Sequence, residues 1–228
     1  MNKKQTFEKI SPLLINKIIN FQKDHISPMN FNLTEEYLYF SLKEIGENPI
    51  DWIPNSHKKS EDMKSDTFGR ISAKSGKINK FTNTLSFSSS RTGKYNTLKD
   101  KIDFFHIDTE DSFISLSTNE TKLSTKYLKP YLNKEEILDY LNTNKTYIEY
   151  HLSFFDTDII KHSNSKDITK WKEVYGVKNK KINGWIYNDE KITIEIKNSL
   201  SSQIWITIKN FNSSNFTINS FNCEKLVI

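Results

Sequence analysis

An α+β fold, a central mixed β-sheet flanked by helices, is predicted by three observations. Helical apolar spacing dominates the stretch before Gly46, strand-like alternation recurs in the middle and again near the C-terminus, and no internal repeat or low-complexity linker divides them. The 228 residues fit one domain spanning 1–228. Its core should be aromatic-rich, because 15 Phe, 10 Tyr and 4 Trp stand against only 6 Gly and 5 Pro, a balance that also argues against a disordered or loop-dominated chain.

The first helix is expected between Thr6 and about Asp24, where Phe7, Ile10, Leu13, Leu14, Ile18 and Phe21 recur at helical spacing. Pro12 places its regular part from that residue onward. A second starts at Thr34, read as the cap, with Glu35 and Glu36 complementing the dipole in the first turn. Tyr37, Leu38, Leu42 and Ile45 build its buried side, and Gly46 stops it. Pro49 and Pro54 make 46–59 an ordered loop that Trp52 anchors.

Strands follow at 70–75 and 84–90, with 77–80 as the turn between them and a basic corner, Arg91 to Lys94, leading to a short helix at 97–105. Further strands are expected at 112–117 and 146–154, and a helix at 134–141 capped by Asn133. A helical piece is expected at 168–175, followed by two strongly alternating strands at 191–197 and 203–209.

Charge narrows the function. The formal +5 arises from 33 basic and 28 acidic residues, and much of the excess lies between positions 56 and 101, as a contact surface for a phosphate backbone would. The single Cys223 leaves no intrachain disulfide and no Cys-rich zinc site, which fits a reducing, cytoplasmic setting. No secretory apolar region and no run long enough to span a bilayer is expected, so no membrane partner is. Phosphate loops, the Gly-x-Ser-x-Gly elbow and the His-Glu-x-x-His helix are absent from the sequence, leaving nucleotide-dependent phosphoryl transfer, serine hydrolysis and zinc proteolysis without support.

Two places combine carboxylates with a strand-borne lysine, the pairing that metal-assisted phosphodiester hydrolysis needs to hold a divalent ion and neutralise the phosphate. In the first, Asp62 precedes Ser72-Ala73-Lys74. In the second, Asp189 precedes Glu195-Ile196-Lys197, the better match to an acid, gap, acid, any residue, lysine pattern, though alternation on a solvent-facing strand produces the same spacing.

The runs Ser56-His57-Lys58-Lys59-Ser60-Glu61-Asp62, Ile71-Ser72-Ala73-Lys74-Ser75-Gly76 and Leu85-Ser86-Phe87-Ser88-Ser89-Ser90-Arg91-Thr92 together resemble the catalytic segment of type II restriction endonucleases of the PD-(D/E)xK superfamily. The later Leu200-Ser201-Ser202-Gln203-Ile204-Trp205 is also similar to a segment of such enzymes. The resemblance implies a restriction-endonuclease-like fold and a Mg²⁺-dependent cut in double-stranded DNA by a homodimer that matches a palindromic site. Asp62 becomes the metal-binding acid and Lys74 the motif lysine. Ser72 stands where the superfamily carries an acid, so another carboxylate is needed: Glu35 and Glu36 are the candidates, with Glu36 assigned to the metal. His57, Lys77, Ser88, Ser90, Arg91, Lys94 and Gln203 are expected to touch DNA. The alternative is a non-catalytic DNA-binding or toxin-neutralising interaction protein.

Overall fold

A computed structural model describes residues 1–24, 31–53, 62–92, 94–107, 112–119, 133, 135, 136, 139, 147–178, 180–198, 203–211 and 216–224. Helix α1 runs from Lys3 to Lys23 and so begins nine positions ahead of Pro12. Its true start is a capping box: the Asn2 side chain accepts from Gln5 N at 2.9 Å while the Gln5 side chain accepts from Asn2 N at 3.2 Å. Pro12 sits inside the helix on the exposed side. Ser11 donates its hydroxyl to Phe7 O at 2.7 Å.

Helix α2 spans Phe31–Glu44, three residues longer at its start than expected, and this changes the role of its acids. Thr34 is a buried residue within the helix, and its first turn holds no acid. Glu35 and Glu36 therefore lie beyond the reach of a simple dipole role. Gly46, at φ 83°, ends the helix as expected: Gly46 N donates to Lys43 O at 3.0 Å and Glu47 N to Leu42 O at 3.1 Å, the paired bonds of a Schellman close. Trp52 anchors the following loop by stacking on Tyr39, ring centroids 4.6 Å apart.

The remaining elements are β1 (Met63–Ser65), β2 (Gly69–Asn79), β3 (Thr84–Arg91), α3 (Leu98–Ile107), β4 (Ser112–Asn119), β5 (Tyr147–Asp156), α4 (Asp158–Lys161) and β6 (Lys172–Tyr175). They are followed by β7 (Ile182–Asn188), β8 (Ile192–Lys197), β9 (Gln203–Lys209) and β10 (Phe216–Glu224). All ten strands join one mixed sheet in the order β10-β5-β4-β2-β3-β9-β8-β7-β6, with β1 on β2 beside that path. Among them only β2 and β4 run parallel, and α3 lies in the connection that returns the chain to β4. The α+β class with a large mixed sheet is thus as expected.

Three expectations change. Residues 77–79 are strand rather than turn, because the reversal is made further on, where the Asn79 side chain accepts from Phe81 N and Thr82 N at 3.0 and 3.2 Å and Asn83 adopts φ 48°. Residues 168–175 divide into a 3₁₀ turn, Ile168–Lys170, and strand β6. Strands β1, β7 and β10 stand where the apolar pattern predicts none. The helix expected at 134–141 falls largely outside the described residues, although Asn133 does accept from Glu136 N at 2.9 Å.

Register sorts the core into two clusters on opposite faces of the sheet. On one, Ile71 and Ala73 of β2 with Ile114, Leu116 and Leu152 meet Phe7, Ile10 and Leu14 of α1 and Leu38 and Leu42 of α2. On the other, Phe87, Phe113, Phe155 and the isoleucines of β8 and β9 meet Ile102 and Phe105 of α3 and Ile160 of α4. Gly76 is required on that second face. A Cβ there would come within 2.6 Å of Ser117 Oγ and 2.9 Å of Ser115 Oγ. No helix among the described residues is long and apolar enough to cross a membrane.

Candidate functional site

Strand β2 has two edges, and they are used differently. β4 pairs continuously with Ile71 to Gly76 along one edge. On the other, among the described residues, β1 pairs only up to Ile71 and β3 only from Gly76 onward, so Ser72 to Ser75 face a gap between those two strands. An amide pointing into such a gap needs a partner. Ala73 N finds it in the carboxylate of Asp62, donating to Oδ2 at 2.7 Å.

Asp62 is placed by the backbone just before β1. Its N–H donates to Ile71 O at 2.9 Å, tying Asp62 to the residue that Met63 faces across the β1–β2 pair. Ser72, fully buried, donates its hydroxyl to the same Oδ2 at 3.2 Å. Ser72 therefore orients the acid, a role that a carboxylate in its place could not play without like-charge repulsion. Lys74 is two residues further along, on the same face and half-buried.

A second carboxylate near Asp62 stands on α2, which lies against β2. Burial first, and then the charge of Asp62, push the Glu35 carboxyl from its ordinary 4.5 up to about 7, while Lys74 draws it partly back. Glu35 is thus close enough to feel both site residues. Glu36, the residue assigned to the metal from the sequence, is turned one helical step away and lines a groove between α1 and α2 with Lys17, Asn20, Tyr37, Phe40 and Glu44. Of the two glutamates, Glu35 is the one on which Asp62 and Lys74 act. Its signal in the sequence is hidden by the helix start: with a start at Thr34, the pair reads as first-turn acids.

The expected DNA contacts are spread along β2 and β3. Lys77 is exposed on the outer part of β2, Ser88 is half-buried on β3, and Gln203 is half-buried opposite Arg91, beyond a register shift between Ser88 and Arg91. Ser90 and Arg91 lie on β3 at the open end of the gap. Lys94 is held over the rings of Tyr95 and Phe104, at 5.0 and 5.1 Å from their centroids. His57 lies outside the described residues.

The second acid–lysine array does not assemble into a site. Asp189 is committed to the β7–β8 turn, accepting from Lys191 N at 2.7 Å, Ile192 N at 2.8 Å and the Tyr187 hydroxyl at 2.8 Å. Glu195 and Lys197 project from β8 into solvent, Glu195 about 10 Å along the strand from Ile192. A cavity of about 580 Å³ does lie beside that turn, lined by Asp156, Asp158, His162, Tyr187, Asp189 and Lys191 among others. None of Asp62, Ser72 and Lys74 borders it, and Asp156 is bound to Lys3 at 2.8 Å. A cavity of that size suits a small molecule, whereas the gap opens along one edge of strand β2 within the sheet.

Donor chemistry at the gap fits a hard divalent cation. Two carboxylates that repel one another beside an ammonium match the way Mg²⁺ is held in phosphate chemistry, by one or two carboxylates completed by water and substrate oxygens. No group of three His, Cys, Asp or Glu side chains able to hold a metal occurs among the described residues, so a preformed all-protein cage is absent from them. His106, His151 and His162 belong to no such group. Burial pushes the imidazoles of His106, to about 4, and His151 below their ordinary value.

No family model matches the sequence, no curated protein matches it, and no solved structure matches the chain.

Proposed function

We propose that the chain is a Mg²⁺-dependent endonuclease that hydrolyses phosphodiester bonds of double-stranded DNA at a short specific sequence, in the manner of type II restriction enzymes of the PD-(D/E)xK superfamily and as a homodimer. The observation that carries this reading is the Asp62 carboxylate held by Ala73 N and Ser72 where β2 is unpaired, with Lys74 two residues along the strand and Glu35 of α2 near enough for Asp62 and Lys74 to act on its carboxyl.

Asp62 and Glu35 would hold the cation, whose chemistry is to polarise the phosphate and lower the pKa of bound water. Ser72 and Ala73 N fix the Asp62 carboxylate by sharing its Oδ2. Lys74 supplies positive charge to the phosphate and orients the attacking water through an N–H donor. A cation held there would favour the ionised form of Glu35, whose carboxyl burial and Asp62 raise to about 7.

Supercoiled plasmid incubated with Mg²⁺ tests the proposal. Discrete linear fragments are expected, abolished in Asp62→Ala and Lys74→Ala, while binding of DNA in EDTA persists in both variants. Undiminished cutting by Asp62→Ala refutes the assignment, and intact plasmid across metals and salts refutes the activity.

A further inference from the structure

The ring of Phe81 is buried by none of the described residues. It stands at the tip of the β2–β3 hairpin at 102% relative exposure, fully in water. Leaving a phenylalanine unburied forgoes the free energy that its burial would contribute. The turn that presents it does not require an aromatic residue. Asn79 Oδ1 accepts from Phe81 N and Thr82 N, the Thr82 and Thr84 hydroxyls bond at 2.8 Å, and Asn83, in the left-handed region, accepts from Phe211 N at 3.1 Å. These contacts fix the backbone whatever stands at position 81. A fixed turn that holds a large apolar ring in water is preorganised for something outside the chain.

Charge indicates what that is. Between Asp66 and Asp100 the sequence has seven basic residues and no acidic one, and the hairpin lies wholly inside this stretch. Lys77 is exposed on the strand leading to the tip, and Lys80 beside the ring is held by Glu149, with Nζ 2.7 Å from both carboxylate oxygens. The strand is unbroken from Lys74 to Asn79, which places the tip roughly 17 Å beyond the candidate catalytic lysine on the same ribbon. A partner must then offer anionic groups along the ribbon and flat apolar surface at its end.

We infer that the hairpin tip is a nucleic-acid contact in which Phe81 wedges into a base step of duplex DNA while Lys77 meets the phosphate backbone. Apolar side chains that enter between base pairs partly unstack them and bend the helix, and base stacking on an aromatic ring is worth a large part of the affinity it supports. The inference rests on the DNA-directed reading of the site but not on its chemistry. DNA contact at the tip needs no cation.

The full chain is tested in EDTA at low salt with a short fluorescein-labelled duplex of mixed sequence. Phe81→Ala should lower affinity by about tenfold, and Phe81→Ser equally, with far-ultraviolet dichroism unchanged because the side chain packs on nothing. Phe81→Trp should retain affinity, and its emission should be quenched by the duplex to an extent the wild type does not show. Wild-type affinity in Phe81→Ala, or unquenched emission of Phe81→Trp at saturation, overturns the inference, as does a wild type that binds no duplex. Quenching without plasmid cleavage would leave the tip assignment intact and remove the nuclease proposal. Cleavage that is indifferent to Phe81 would do the reverse.

Discussion

Replacing Glu35 by glutamine gives the sharpest measure of the site, because the acid's cost can be worked out before any substrate is known. Folding moves this carboxyl from 4.5 up to about 7, so the folded chain holds a proton there that the unfolded chain releases. The stability linked to this group is therefore complete below about 4.5 and is lost as pH rises towards 7. A displacement of about 2.5 pH units corresponds nominally to about 3 kcal/mol, and partial exposure with solvent screening reduces it to about 1–2 kcal/mol. The amide of Glu35→Gln cannot titrate. Urea denaturation of wild type and Glu35→Gln in EDTA, at pH 5 and at pH 8, isolates the contribution, since every other group cancels in the difference. The variant should gain about 1–2 kcal/mol on the wild type between the two pH values, and millimolar Mg²⁺ at pH 8 should recover part of that difference for the wild type alone. Parallel behaviour of the two proteins would show that Glu35 does not sit against Asp62 in a buried setting.

Other expectations are more direct. Gly76→Ala drives a methyl into Ser117 Oγ, Ser115 Oγ and Leu85, and a loss of roughly 1–3 kcal/mol is expected as a lower urea midpoint. Asp62→Ala orphans Ala73 N and the buried Ser72 hydroxyl, costing about 1–3 kcal/mol of stability besides its effect on cleavage, whereas Asp62→Asn keeps an acceptor and should fold more nearly like the wild type. Glu195→Ala, on an exposed strand position, should leave plasmid cutting unchanged, and a loss of cutting would transfer the site to β8.

What could be read in advance follows a physical pattern. Strands β8 and β9 alternate Ile against polar residues because one face is wholly buried, and alternation of that kind needs no tertiary information. Strand β7, Ile182–Asn188, interrupts its pattern with Gly184, whose Cβ would stand 2.5 Å from Ile196 O, so close strand approach overrides the periodic signal. Pro12 misleads because it punctuates local structure, yet here the capping box at Asn2 decides where the helix starts. Spacing alone favours Asp189, Glu195 and Lys197, and it is the resemblance that singles out Asp62 and Lys74. Their partnership with Glu35 depends on a helix start and a sheet register that no local window contains.

The short ladder between β2 and β3 has a mechanical meaning. Four residue pairs, Gly76 to Asn79 with Phe87 to Thr84, are the only strand pairing among the described residues that joins the five-strand block of β1, β2, β4, β5 and β10 to the block of β3 and β6 to β9. Asp62 and Lys74 belong to the first block, and Arg91 and Gln203 to the second. Beneath the seam, Phe87 rests on Phe113 and Phe155, at centroid distances of 5.1 and 5.2 Å, and clamps the blocks from one side. The sheet is thus two blocks joined along one short seam, with Asp62 and Lys74 on one side of it, the β3–β9 pair on the other, and three phenylalanine rings packed across it.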